Sequence, residues 1–367
     1  MKILVTGAQG FVGKNLTSVL NARNGFEVLQ YDRGNSLEDL GKLVQASDFV
    51  VHLAGVNRPD NADEFYSGNS DLTSQLCELL EKSNSKTPIL LSSSIQAERD
   101  NDYGKSKLQA EERVLKYAAD TSSKAYIFRF KNLYGKWSRP NYNSVVATWC
   151  YNIARDIEIT VSDPSIELEL CYIDDVIDAI MGMFDAVKPT GLYEVPATDK
   201  ITLGELEPLI NSFKESRTNF IYPDQSSRLA KNLYATYLSY LPKDMFSYPL
   251  KTNIDDRGSF SEYLKSDVNG QISISVSKPG VTKGQHWHQT KSEKFLVVRG
   301  KGMVRFRDVF SEEIIEYPVS GDELEVVDVP TGYRHSLVNL GKDDMITIIW
   351  ANELFDRDRP DTNYEEV

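Results

Sequence analysis

A doubly wound α/β parallel sheet followed by an all-β barrel is the architecture this sequence predicts, and three observations carry that prediction. From residue 1 to about 190, continuous apolar runs alternate with helix-period segments, the pattern of a parallel sheet covered on both faces. Between Ser239 and Pro249, two prolines and a polar run interrupt every periodicity. Beyond that break, short β-rich runs recur at near-even spacing between Gly, Pro and Asp. A chain of 367 residues is long enough for two cores, and the expected domains are residues 1–243 and 250–367.

Taken in order, KILVTG, FEVLQYD, DFVVHLAG, TPILLSSS and KAYIFRF read as strands. Segments 13–24, 37–46, 62–83, 104–119 and 143–155 read as the helices between and after them. From 190 to 240 the pattern loosens, leaving helices at Leu203–Ser216 and Leu229–Leu241. The barrel half predicts strands at 259–264, 271–277, 294–299, 302–308, 313–318, 323–329 and 345–351.

Composition narrows the function classes. Fifty-four acidic against 41 basic side chains give a net charge of −13 with no basic block, which argues against nucleic acid or an anionic membrane as partner. Cys77, Cys150 and Cys171 are odd in number and lack metal spacing, so buried thiols in a reducing compartment are expected. No signal-like segment or apolar run of about 18 residues is present, which predicts a soluble cytoplasmic protein.

Gly7, Gly10 and Gly13 lie between the first strand and a helix. Glycine there allows a tight turn and close approach of backbone to a pyrophosphate, whose charge is favoured at a helix N-terminus. Asp32 ends the second strand about 20 residues on, where a carboxylate holds an adenosine ribose. Arg33 follows and could pair with a 2′-phosphate, which favours NADPH while leaving NAD open. Ser92, Ser93 and Ser94 end a strand, and Tyr103 and Lys107 share a helix face at i and i+4. A nearby ammonium lowers a phenol's pKa, so Tyr103 can exchange a proton with a carbonyl, with Ser94 as a second donor. In isolation, Y-x-x-x-K is an ordinary amphipathic pair. Here the glycine loop and the strand-end serines surround it.

These motifs resemble the extended short-chain dehydrogenases/reductases of the nucleotide-sugar type over residues 1 to about 240. The resemblance implies a Rossmann-type fold and places Gly7, Gln9, Gly10, Phe11, Val12, Gly13, Leu53, Ala54 and Gly55 on the cofactor. It makes Ser94 and Tyr103 the groups that polarise a sugar carbonyl, with Lys107 on the nicotinamide ribose. Arg129 to Gly135 resembles the family's Arg-x-x-Asn-x-x-Gly strand exit, with Asn132 near the sugar nucleotide, and Tyr172 to Val176 resembles its substrate-domain segment. Lys136, Arg139 and Asn143 are candidate diphosphate or base contacts, though charged loop residues are also ordinary solvated surface. The stretch from Gln96 to Asp102 is shorter than in many members, so the loop over the substrate is short.

In the second half, Gly280, His286, His288, Glu293 and Gly300 are followed by Pro330, Gly332, His335 and Asn339. On a strand, residues i and i+2 point to one face, which brings His286 and His288 together. Three imidazoles with a carboxylate suit zinc, iron, nickel or manganese. The pattern resembles the two motifs of the cupins, jelly-roll barrels that include epimerases, dioxygenases and plain binding modules. Asp255 to Glu262, with Lys283 to His286, further resembles nucleotide-sugar 3,5-epimerases. That resemblance implies Arg257 on a diphosphate, a role for Glu262 at the entrance, Lys283 on an enolate oxygen and His286 as the base. His286 cannot be both ligand and base, and Lys283 stands where that family has Arg.

A 4-keto sugar unites the halves. Its carbonyl acidifies C3–H for epimerisation and is itself the hydride acceptor, so epimerisation must precede reduction. The whole chain resembles bifunctional capsular-polysaccharide and O-antigen enzymes. This implies a UDP-2-acetamido-2,6-dideoxy-4-keto-hexose epimerised at C3 and reduced at C4 toward UDP-N-acetyl-L-fucosamine, with zinc and a homodimer. The competing readings are a reductase or 4-epimerase carrying a non-catalytic cupin module for dimerisation or sensing.

Overall fold

The computed structural model describes residues 1–59, 61–185, 188–196 and 198–367. It divides into two units, Met1–Asn211 with Gln225–Pro242, and Ser212–Asp224 with Lys243–Val367.

The first unit runs β1 (Lys2–Thr6), α1 (Phe11–Asn21), β2 (Glu27–Tyr31), α2 (Leu37–Ala46) and β3 (Phe49–His52). A short helix α3 (Asp63–Phe65) passes through a π-helical turn into α4 (Leu72–Lys82), followed by β4 (Ile89–Ser94), α5 (Asp102–Thr121) and β5 (Ala125–Phe130). Then come β6 (Asn132–Tyr134), α6 (Val145–Ile153), β7 (Glu167–Tyr172), α7 (Ile173–Met181), β8 (Gly191–Tyr193), β9 (Asp199–Thr202), α8 (Leu203–Asn219) and α9 (Arg228–Ser239). Six strands form one parallel sheet in the order β2-β1-β3-β4-β5-β8, and β6-β7-β9 form a small second sheet. The period-2 geometry of a strand sorts each apolar run onto two faces. Ile3, Val5, Val51, Leu90 and Phe128 pack with α1 and α7, while Leu4, Val50, Leu91 and Ile127 pack with α2, α4 and α5. Burying each such side chain stabilises the fold by roughly 1.5–3 kcal/mol, which is why these strands are apolar throughout rather than alternating.

The second unit is antiparallel: β10 (Thr252–Asp255), β11 (Gly258–Ser266), β12 (Gly270–Ser277), β13 (Thr282–Trp287), β14 (Glu293–Arg299) and β15 (Lys301–Asp308). It continues with β16 (Ile314–Ser320), β17 (Val326–Val329), β18 (Tyr333–Asn339), β19 (Met345–Ala351) and β20 (Asn363–Tyr364). The two sheets have the orders β10-β11-β12-β19-β14-β17 and β16-β15-β18-β13-β20. Phe295, Val297, Val304, Phe306, Leu337 and Met345 form the core between them. Segment 212–224 joins this unit through hydrogen bonds between Tyr222 N and Lys265 O (2.6 Å) and between Lys265 N and Phe220 O (2.7 Å).

The expected fold classes are both present, a doubly wound α/β sheet and then a cupin-like all-β domain. Strand β17 begins at Val326, later than the run 323–329 suggested, and β10 and β20 had no apolar signal to announce them. The three cysteines are free and buried, and burial pushes the Cys77 and Cys171 thiols up to about 12. Among the described residues, no helix is long and apolar enough to cross a membrane.

Candidate active sites

In the strand order 2-1-3, connections leave β1 toward opposite sides, so a crevice opens at the carboxyl ends of β1 and β3, the switch point of a doubly wound sheet. Gly7 lies there at φ +67°, and a Cβ on it would sit 2.8 Å from Ala54 N. A Cβ on Gly13 would sit 2.2 Å from Gly7 O, so the loop closes only with glycine. Gly10 caps α1 without a side-chain hydrogen bond, leaving first-turn amides free for an anion. Phe11 and Val12 anchor that turn against the core. Gln9 N donates to Asp32 Oδ2 (2.7 Å) and Arg33 N to Asp32 Oδ1 (2.9 Å), while the Arg33 side chain is exposed. Asp32 is thereby fastened to the glycine loop.

Leu53, Ala54 and Gly55 cross the crevice floor, held by Leu53 N to Thr6 O (3.1 Å) and Ala54 N to Thr6 Oγ1 (3.2 Å). Lys107 is buried beneath Gly55, where a Cβ would approach its Nζ to 3.1 Å and Asn69 Oδ1 to 2.8 Å. Its ammonium donates to Ser92 O (3.2 Å), and burial pushes its pKa down to about 8 with Glu111 opposing. Ser94, at the end of β4, accepts from Gln96 N (3.2 Å) and lies beside Tyr103. Tyr103 donates to Asn57 Oδ1 (3.1 Å).

The expected lowering of the phenol by Lys107 is not what governs Tyr103. Burial raises its pKa, with the Ser94 hydroxyl opposing, while the Lys107 ammonium donates to Ser92 O. A phenol held protonated in this way is suited to donating a proton.

Asn132 is exposed and donates to Glu169 O (3.2 Å). Lys136 pairs with Asp174 (2.7 Å), and the Arg139 guanidinium lies 5.2 Å from the Tyr142 ring centre. Sequence reasoning missed a buried wire behind the crevice. Thr73 gives its hydroxyl proton to Asn69 O (2.6 Å), so it accepts from His52 Nε2 (2.9 Å). His52 Nδ1 then accepts from Thr6 Oγ1 (2.6 Å), the same oxygen that receives Ala54 N–H. His52 is fully buried, and its pKa is pushed down to about 3 by burial and by Lys107. A histidine inside an otherwise apolar strand was the available signal. Asn57 and Asn69, in loop and helix, gave none.

In the second unit, His286 and His288 come from β13 and its exit, and His335 comes from β18. Glu293 begins β14 in the facing sheet. His286 and His335 are direct cross-strand partners, with ring centres 4.5 Å apart. The four candidate ligand atoms lie within 4.8 Å of one another. Glu293 Oε2 is 3.7 Å from His288 Nε2 and 3.4 Å from His335 Nε2. These separations approach the ~3.3 Å between ligand atoms of a tetrahedral ion with bonds of about 2 Å. Both Nε2 atoms are buried with no hydrogen-bond partner among the described residues. Such orphans are costly and call for an explanation. Burial alone would raise the Glu293 carboxyl, but the neighbouring His288 and His335 hold it well below the usual range. Burial, then the neighbouring His335 and His288, pushes His286 down to about 4.

A cavity of about 220 Å³ adjoins this cluster, and its titratable lining residues are Lys283, His286, Glu293 and His335. Lys283 Nζ donates to Val276 O (2.8 Å), Ser275 Oγ (3.1 Å) and Ser259 O (3.2 Å), and burial lowers its pKa. Lys283 and His286 share the inner face only because a bulge at Gly284–Gln285, with Gln285 at φ +63°, inserts an extra residue. Arg257 is exposed and paired with Asp255 (2.6 Å), and Glu262 pairs with Lys265 (3.1 Å). Neither lines the cavity.

The description of the NAD dependent epimerase/dehydratase family matches residues 3–195, and that of the polysaccharide biosynthesis C-terminal domain matches residues 253–363. The chain is 45% identical over 363 residues to the UDP-2-acetamido-2,6-beta-L-arabino-hexul-4-ose reductase of Pseudomonas aeruginosa, covering 99% of this chain and 98% of that one. Among solved structures, it is similar to the capsular polysaccharide assembling protein CapF from Staphylococcus aureus, with 49% identity, a TM-score of 0.94 and 100% of each chain covered. UDP-glucuronic acid 4-epimerase from Bacillus cereus, in complex with NAD, matches at 19% identity and a TM-score of 0.57 over 67% of this chain and 100% of that one, a likeness of fold alone.

Proposed function

The chain belongs to the NAD dependent epimerase/dehydratase family, and from that premise we propose a two-step enzyme acting on a UDP-2-acetamido-2,6-dideoxy-4-keto-hexose. It is a nucleotide-sugar enzyme of the epimerase/reductase type, CapF-like along its whole length. In the proposed sequence, the second unit inverts C3 and the first unit then reduces C4 with NADPH.

The observation that carries the first step is the cavity wall. His286, Glu293 and His335 belong to the four-residue cluster, whose geometry supports His286 as ligand rather than base. Lys283 is then the titratable lining residue left to move the proton. Burial lowers its pKa, and its Nζ, which donates to Val276 O, Ser275 Oγ and Ser259 O, would take the C3 proton after losing one of its own to solvent and turning the freed lone pair to the substrate. The C3–H bond breaks with its proton passing to the Lys283 amine, its electrons move onto the C4 oxygen as an enolate, and a proton from solvent water adds to C3 on the opposite face as the ketone re-forms. Two partnerless imidazole nitrogens beside a carboxylate fit a divalent ion, zinc by resemblance, held by His286, His288, Glu293 and His335. When bound, it supplies Lewis-acid stabilisation of the developing oxyanion.

In the second step, hydride from NADPH adds to C4 while Tyr103, protonated by virtue of burial, gives its proton to the C4 oxygen. Ser94 hydrogen-bonds that oxygen, and Lys107 holds the nicotinamide ribose. The engagement of Asp32 by Gln9 N–H and the exposure of Arg33 support NADPH. Asn132, Lys136 and Arg139 would hold the sugar nucleotide, and exposed Arg257 would meet a diphosphate. Buried free thiols suit the cytoplasm. The homodimer follows from the resemblance and is checked by light scattering.

The test uses the keto-sugar in deuterated water without NADPH. Wild type should place deuterium at C3, Lys283→Met should not, and Tyr103→Phe should still do so, although with NADPH added it should oxidise the cofactor about 10²–10⁴-fold more slowly than wild type. Absence of deuterium in wild type would overturn the epimerase step and leave a reductase with a non-catalytic second domain.

A further inference from the structure

The C-terminal tail grips every segment that carries a residue of the His/Glu cluster. Strand β20 pairs with β13, setting Tyr364 opposite His286 and Asn363 opposite Trp287, so the strand bearing His286 is not an edge. Glu365 N donates to Gln285 O (3.0 Å), and the Glu365 carboxylate pairs with Arg334 beside His335 (2.5 Å). Asp361 does most. Its side chain accepts from Gln289 N, Thr290 N and Lys291 N, each at 2.9 Å, closing the link between His288 and Glu293. Its main-chain carbonyl is hydrogen-bonded to His288 Nδ1.

A carbonyl only accepts, so the proton of neutral His288 lies on Nδ1 and its Nε2 carries the lone pair. That Nε2 is the buried, partnerless nitrogen facing Glu293. Asp361 holds this position in a left-handed conformation, φ +41°, uncommon for a residue with a side chain. Nothing local to residues 356–367 has a core of its own to keep that conformation, so it is retained by these contacts.

Resting on the reading of the cluster as a metal centre, we propose that the tail from Asp361 to Glu365 is a strap that presets the centre, with Asp361 as the positioning residue that fixes the His288 tautomer. Metal affinity and tail docking are then coupled, and linkage makes the coupling reciprocal: a docked tail tightens metal binding, and metal tightens the docked tail. Partners of this kind change metal affinity by about 10–100-fold.

The experiment measures zinc affinity of the full-length metal-stripped protein by chelator competition, alongside amide hydrogen exchange with and without zinc. Asp361→Ala should weaken zinc binding about 10–100-fold while near-ultraviolet circular dichroism stays native, and Asp361→Asn, which keeps an acceptor, should recover most of the loss. In wild type, which needs no variant to fold, zinc should slow exchange at amides 289–291 and 363–365. Unchanged exchange there on zinc binding, or unchanged affinity in a folded Asp361→Ala, overturns the strap while leaving the metal centre standing. Failure of wild type to bind one zinc at all sinks the metal reading and the strap with it.

Discussion

Two lysines separate the two halves of the molecule. Lys107 is buried on a helix, one turn from Tyr103, and donates to one carbonyl oxygen within a network whose donors and acceptors pair with each other. Lys283 lies on a bulged strand against a cavity, beside imidazole nitrogens that have no partner. The first site is a crevice whose side chains hydrogen-bond one another while the first-turn amides of α1 stay open to an anion, shaped to receive a cofactor. The second is a cavity beside buried imidazole nitrogens left incomplete in hydrogen bonds, which is the condition for holding an ion. A satisfied network positions groups, whereas an unsatisfied buried cluster binds something.

The strongest way to break that contrast is Tyr103→Phe. It should cut NADPH oxidation on the keto-sugar by about 10²–10⁴-fold while a fluorescence titration shows cofactor still bound. A fully active variant would remove the first unit's assigned acid. Next, Glu293→Gln should lower zinc affinity by at least about 10-fold, measured by chelator competition, and leave NADPH binding untouched. If both fall together, the two sites are coupled rather than independent.

A third comparison concerns pH. The Lys107 pKa is lowered in the folded protein to about 8 from 10.5, so the unfolded chain binds more protons between those values. Stability should therefore rise with pH across that window, by roughly 3 kcal/mol relative to Lys107→Met if both pKa values hold. Denaturant melts of the two proteins from pH 7 to 10.5 measure it, and parallel curves would contradict the burial of a charged amine. The smallest effect is expected from Gly55→Ala. Its Cβ would crowd Asn69 Oδ1 and the Lys107 ammonium, so KM for NADPH should rise about 10-fold, in line with typical overpacking, with zinc content unchanged.

Much of this was legible in the chain itself. Helix Leu37–Ala46 was readable because Ser36 and Asp39 form a capping box before a periodic apolar face. Ser94, Tyr103 and Lys107 were readable because one helix turn and one strand end fix their relation locally. His52 and Asn69 were harder to read, since their roles depend on which loop lies against which helix. Asp361 was invisible, because an aspartate in a polar tail carries no periodicity and acquires meaning only by folding back 73 residues onto His288.

The sequence by itself determined two folds in succession, the glycine loop and the gathering of three histidines with a glutamate, because strand and helix periods are local properties of the backbone. Tertiary structure alone decided that Lys283 and His286, three residues apart and so opposed on a regular strand, face one cavity through the bulge at Gln285. It also decided that Lys107 points to Ser92 rather than to the Tyr103 hydroxyl, since the direction of a buried ammonium is set by which acceptor the packed core leaves within reach.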